Sequence, residues 1–365
     1  MDSNGKKRLW IFIAIAYGVT ALMSIFMFIG YRQEMDLTAF VNVQMMYPAC
    51  GVILGKLICR KESEKLPMTG YISVLITTAV MMIIAVMTIF VKLPEIDLGE
   101  SGGGKVDVWN LVSQLPIIFG SIPAYIGFWV CGREKAEIAG VRRKNIKKSI
   151  VVILVFLALY IGRIFASTFI TDLINGNSAS WDALKAVFTK PVTYITAISL
   201  PFNYFMVFIA FFGEEYGWRY YLQPIMQKKF GKRIGVILLG LVWGVWHLNV
   251  DLMFYTKETQ LQMFVAQLIT CTAYGILFGY AYMKTDNIWV PVIIHYLNNN
   301  LIAVFSGGDV SVISNQTITW GDIPLHLLTM IPAMLFILAP IYGKGKKKPE
   351  TMVEVRDAEA KIESD

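Results

Sequence analysis

The chain has 365 residues, 56% hydrophobic and only 16% charged, and 33 Lys and Arg against 26 Asp and Glu leave a net charge of +7. Soluble domains run about 45–50% apolar and about 25% charged. Composition therefore excludes a disordered chain and argues against a soluble globule. The positive excess fits the cytoplasmic loops of a membrane protein better than nucleic acid, which is not expected as a partner. Cys50, Cys59, Cys131 and Cys271 stand alone with no CxxC, so neither a disulfide framework nor a thiolate metal site is expected.

A bilayer core takes roughly 20 apolar residues as helix. Leu9–Ile29 meets this length after Lys6-Lys7-Arg8 and reads as an uncleaved anchor, since it is too long for a signal peptide and ends in no small-residue cleavage site. Further predicted spans are Phe40–Cys59, Gly70–Val91, Trp109–Cys131, Ile150–Ile170, Val192 to beyond Phe212, Ile234–Leu252, Met263–Met283, Ile288–Phe305 and Ile323–Tyr342. The second is the weakest, because it holds Asn42, Gln44, Pro48 and Lys56. The expected fold is all-α, a polytopic transmembrane bundle of about ten spans.

Connections after the second, fourth, sixth and tenth spans are rich in Lys and Arg. The intervening ones are poor in both, and Ser306–Asp322 has no basic residue. The Lys/Arg bias places both termini in the cytoplasm, and the length and loop style suggest a multi-pass protein of a bacterial cell membrane. Residues 344–365 read as a disordered cytoplasmic tail. Residues 1–190 read as an N-terminal transmembrane region of about five spans, and 191–343 as a domain that gathers the unusual polar residues.

Ionisable groups inside a span are costly and mark function by default. The sixth span ends in Gly213-Glu214-Glu215-Tyr216-Gly217-Trp218-Arg219. The seventh carries Trp243, His247 and Asn249, and the ninth carries His295, Asn298, Asn299 and Asn300. Arg163 in the fifth span has no evident partner, and His326 opens the last span. If Lys228–Arg233 is the turn of a helical hairpin, Glu214 and His247 each lie fourteen residues from it, roughly 21 Å at the helical rise. His295 lies eleven residues beyond Lys284, roughly 16 Å deep, with Asn299 one turn further on the same face. Glu, His and a His–Asn pair from three helices thus converge.

Spacing assigns expected roles. Glu215 and Arg219, at i and i+4, pair as structural support. Glu214 points roughly 100° away. Without that partner it suits a general base acting on water that His247 shares. His295 and Asn299 would offer two donors to an oxyanion. The expected route for water to this site is from the face of the Lys228–Arg233 turn.

The set Glu214-Glu215-x-x-x-Arg219, an aromatic ahead of His247, and His295-x-x-x-Asn299 resembles the three motifs of the CPBP family, the CAAX proteases and bacteriocin-processing enzymes also called the ABI family. The resemblance runs from about Val192 to Tyr342. It implies an intramembrane glutamic endopeptidase in which Glu214 and His247 activate water, His295 and Asn299 hold the oxyanion, and Glu215 and Arg219 support the site. Two positions depart from the pattern. Trp243 stands where Phe is commonest, and Tyr220 stands where bacterial members often have Gly.

The expected function is hydrolysis of a peptide bond in a membrane-associated protein or peptide, with the lipid bilayer as surroundings. No cofactor is expected. The alternative is a zinc-dependent form, since a Glu and two His suit that metal, although H-E-x-x-H is absent. The rivals from other classes are a membrane transporter and a non-catalytic bacteriocin-immunity scaffold. No inverted repeat supports the transporter.

Overall fold

The computed structural model describes residues 2–60, 64–97, 105–309, 311–314 and 316–343. The connection at 98–104 and the tail at 344–365, expected to be disordered, lie outside the described residues. Helices dominate. In chain order they are α1 (Ser3–Arg32), α2 (Thr38–Ile58), α3 (Met68–Phe90), α4 (Val108–Trp129), α5 (Arg133–Ala139), α6 (Ile146–Asn175), α7 (Ala179–Val187), α8 (Pro191–Phe230), α9 (Lys232–Trp246), α10 (Leu248–Tyr255), α11 (Gln260–Thr285), α12 (Trp289–Phe305) and α13 (Ile323–Leu338). A short antiparallel hairpin, β1 (Glu95–Asp97) with β2 (Lys105–Asp107), joins α3 to α4.

Seven of these helices are long and apolar enough to cross a membrane, and α9 with α10 makes an eighth if that pair, bent by 42°, is one span. The shorter apolar α12 and α13 stand where the ninth and tenth spans were predicted. The bundle is polytopic and all-α apart from the hairpin. Its outward faces are apolar: Leu22, Ile25, Phe119, Ile122, Ile150 and Leu154 are all exposed. In water such a surface would aggregate, whereas in lipid it needs no cover.

Gly231, at φ 82°, closes the tight turn between α8 and α9. The expected hairpin at Lys228–Arg233 is therefore present. Within α8 the helix widens to π geometry over Tyr216–Leu222, directly after the glutamate pair, as helices often do at functional sites. The α8 helix passes close to α2 at two glycines. A Cβ at Gly213 would lie 2.9 Å from Met46 Cα, and one at Gly217 would meet Pro48. Without a hydrophobic drive between helices in lipid, such close packing of small residues carries the association.

The weak second span now has a reason for its polar residues. Gln44 Nε2 donates to the Trp246 carbonyl at 3.0 Å, and the Asn249 amide donates back to Gln44 Oε1 at 2.7 Å. The bend between α9 and α10 frees backbone carbonyls there, and in a membrane these must be paired internally. The first helix meets the same region, where Tyr17 donates to the Val242 carbonyl at 2.7 Å and Trp246 Nε1 to that of Ala16 at 2.8 Å.

Gly217→Leu tests the close approach. It should lower folded yield and the thermal midpoint in detergent, because overpacking costs about 1–3 kcal/mol. A wild-type melting curve would show that α8 and α2 tolerate a wider spacing.

Candidate functional site

Glu214 and Glu215 stand at the end of the regular part of α8, and both are buried. They face different partners, as their spacing predicts. Glu215 accepts a hydrogen bond from His295 Nδ1 at 2.8 Å and pairs with Arg219 Nε at 3.2 Å. The expected Glu215–Arg219 pair is thus present, but one carboxylate serves two partners, and His295 on α12 takes one oxygen. The Arg219 guanidinium packs over the Trp243 ring at 4.4 Å and over that of Phe278 at 5.3 Å. Cation–π contact compensates a desolvated guanidinium that makes few hydrogen bonds.

Glu214 has a partner that spacing did not reveal. The indole Nε1 of Trp243 donates to Glu214 Oε2 at 2.7 Å. Phe at this position would offer no donor. The departure from the family pattern therefore adds a hydrogen bond that fixes the carboxylate.

The histidines are held in defined tautomers. His247 Nδ1 lies 2.9 Å from the Trp243 carbonyl. A carbonyl can only accept, so Nδ1 carries the proton and Nε2 of the neutral ring keeps its lone pair. His295 donates its Nδ1 proton to Glu215. Its Nε2 then accepts when the ring is neutral and donates only as imidazolium. Asn299 Oδ1 accepts from the Asn298 amide at 2.9 Å, which leaves the Asn299 amide as its donor end.

Glu214, His247, His295 and Asn299 all line one cavity of about 720 Å³. Trp243 lines it as well, while Glu215 and Arg219 lie behind its wall. The cavity extends past Gln44 and Gln114 to Asp36, Asn110, Ser311 and Ser314. Asp36, Ser311 and Ser314 sit in connections, and Asn110 in the first turn of α4, at the end of the bundle away from the Lys228–Arg233 turn. Toward that turn the path is shut: Trp218 and Arg219 are wholly buried, and Gln223, 1% exposed, reaches the Gly279 carbonyl. The expectation of access from the basic face is overturned. The π-helical turn and its bulky side chains plug that route.

Sequence reasoning missed Gln44 as a wall of this cavity, and it missed Cys271, whose Sγ lies 3.7 Å from His247 Nδ1. Gln44 lies some 200 residues from its partners, and no local pattern carries that contact. His326 bonds Thr270 Oγ1 at 2.8 Å and the Ala266 carbonyl at 3.2 Å, which ties α13 to α11. Arg163 stacks on Tyr160. Among the described residues no three His, Cys, Asp or Glu side chains converge as metal ligands do.

An apolar helical bundle that encloses buried acid, base and amide groups around one polar cavity defines a polytopic membrane protein with an internal site. Residues 196–301 match the family model of the Rce1-like type II CAAX prenyl endopeptidases, which is the CAAX protease (CPBP) family. The matched stretch holds Glu214 to Arg219, Trp243 to His247, and His295 to Asn299. No curated protein and no solved structure matches the chain.

Glu215→Gln should unfold in detergent well below wild type. It strips Arg219 of its counter-charge in a dry site, at a cost of roughly 3–5 kcal/mol. Unchanged thermal stability would mean that ring contacts alone hold the guanidinium.

Proposed function

We propose that the protein is an intramembrane endopeptidase that hydrolyses a peptide bond of a membrane-associated protein or peptide with a glutamate-activated water. The observation that carries this reading is the gathering of Glu214, His247, His295 and Asn299 on one cavity within the protease-family domain. Glu214, anchored through one oxygen by Trp243, takes a proton from water through the other. The Nε2 lone pair of His247 orients that water or shares its proton. As the carbonyl carbon turns tetrahedral, charge grows on its oxygen. The Asn299 amide and His295, as imidazolium over Glu215, would donate to it. The proton held by Glu214 or His247 then passes to the leaving amine.

The amides of Gln44, Gln114, Gln267, Asn298 and Asn300 line the same cavity. They suit an extended peptide, whose backbone needs donors and acceptors once it leaves water. A cavity closed at one end favours a hydrolase over a transport path.

Mass spectrometry of membranes should find a shortened membrane peptide with wild type and none with Glu214→Gln, which keeps shape but takes no proton. Trp243→Phe should fold and lose about ten- to a hundredfold in turnover, the worth of a hydrogen bond to a charged group. Cleavage by Glu214→Gln at the wild-type rate would end the mechanism. Metal analysis separates the zinc form: the proposed enzyme keeps activity after chelator dialysis with far less than one zinc per chain. Stoichiometric zinc lost together with activity would reverse that choice.

The direction of access has its own outcome. A polar maleimide should label cysteines placed at Asp36 and Ser311 from the same side of sealed vesicles, above the background of the native cysteines. Gln223→Cys should resist it from either side. Labelling at Gln223 alone would mean that the site opens toward the basic turn.

A further inference from the structure

A second cavity, of about 400 Å³, lies on the outer surface between α6, α11 and the end of α13, away from the site above. Its walls are almost wholly apolar, with Val151, Val155, Leu277 and Phe336 among them. Its rim at one end is Lys147, Lys148 and Lys284. The first two stand in the opening turn of α6 and the third in the closing turn of α11.

These two helix ends are locked side by side. Asn145 donates to the Thr285 carbonyl at 2.8 Å, Asn287 donates to that of Lys144 at 3.0 Å, and Lys144 pairs with Asp286 at 2.8 Å. Lys144 is thereby neutralised by its neighbours. Among the described residues no acidic side chain pairs with Lys147, Lys148 or Lys284. Two of these lysines sit where the α6 dipole is itself positive. Three like charges are held together over an oily groove, and the missing counterpart carries both a negative head and an apolar tail.

We propose that this groove binds an anionic phospholipid of the bilayer leaflet at the basic end of the bundle. Lys147, Lys148 and Lys284 hold its phosphate, and one acyl chain lies between α6 and α11 along Val151, Val155 and Leu277. A soluble phosphate would satisfy the lysines and leave the groove unfilled. A zwitterionic lipid would fill the groove and bring its own positive charge to the lysines. Basic pockets between transmembrane helices meet acidic head groups on these terms. The same α11 helix carries Gln267, Thr270, Cys271 and Tyr274 on the wall of the central cavity, so a bound lipid would brace one side of that site.

Native mass spectrometry of the full chain in neutral detergent tests this, titrated with phosphatidylglycerol or phosphatidylcholine of identical acyl chains. One saturable site should prefer phosphatidylglycerol by at least about tenfold, from about 1 kcal/mol per lysine near an anionic head group. The exposed triple change Lys147→Gln, Lys148→Gln and Lys284→Gln should bring the two lipids to within about twofold of each other. Val155→Trp keeps the lysines and fills the groove, so it should weaken both lipids. Lys228→Gln with Lys229→Gln, elsewhere on the basic end, should change nothing. Equal binding of the two lipids, a preference that survives the triple change, displacement by glycerol 3-phosphate at equal concentration, or the same loss from the Lys228 and Lys229 changes would each overturn the proposal.

Discussion

The polar centre of this bundle depends on one fully buried carboxylate. Glu215 draws the His295 ring from α12 and the Arg219 guanidinium from its own helix, and Arg219 in turn presses on Trp243 of α9 and Phe278 of α11. Four helices are thus registered on one charge system. Burying ions is expensive, and removing one partner costs more than the pair contributes. That penalty is what makes the arrangement specific. A register shift of one residue along α8 would leave an uncompensated ion in a dry core.

Glu214 occupies the preceding position in the chain and a different electrostatic situation. Among the described residues no cation forms an ion pair with it, and its side-chain donor is the neutral Trp243 indole. The two adjacent carboxylates therefore differ by environment, one buried against His295 and Arg219, the other held at the cavity wall by the Trp243 indole. The tautomers follow the same logic. The carbonyl beneath His247 and the carboxylate beneath His295 each claim an Nδ1 proton, so in both rings Nε2 is the nitrogen left for another partner.

The N-terminal helices are part of this centre. Gln44 satisfies the backbone opened by the bend at His247, Tyr17 and Ala16 grip α9, and Gly213 and Gly217 let α2 approach α8. The matched family stretch ends at residue 301 and begins at 196, yet the wall of the cavity includes α2 and α4. A polar centre in lipid must be enclosed on every side, and the C-terminal helices alone leave one side open.

The amino-acid sequence determined the membrane class, since no other solvent suits so apolar a chain. All ten predicted apolar segments stand as helices, because their lengths follow from bilayer thickness and helical rise. Position along a helix, at a constant rise per residue, predicted similar depths for Glu214, His247 and His295, and all three line one cavity. The tertiary structure alone decided which oxygen met which nitrogen. Trp243 stood only as the aromatic ahead of His247 until its indole was seen on Glu214, and Gln44 read as a weakness in a span until the bend at His247 was seen to need it. The direction of the opening also belonged to the tertiary structure. Charge bias sorts loops to the two faces of a membrane, but which end of a bundle is hollow depends on how side chains from five or six helices fill it, and no local pattern records that.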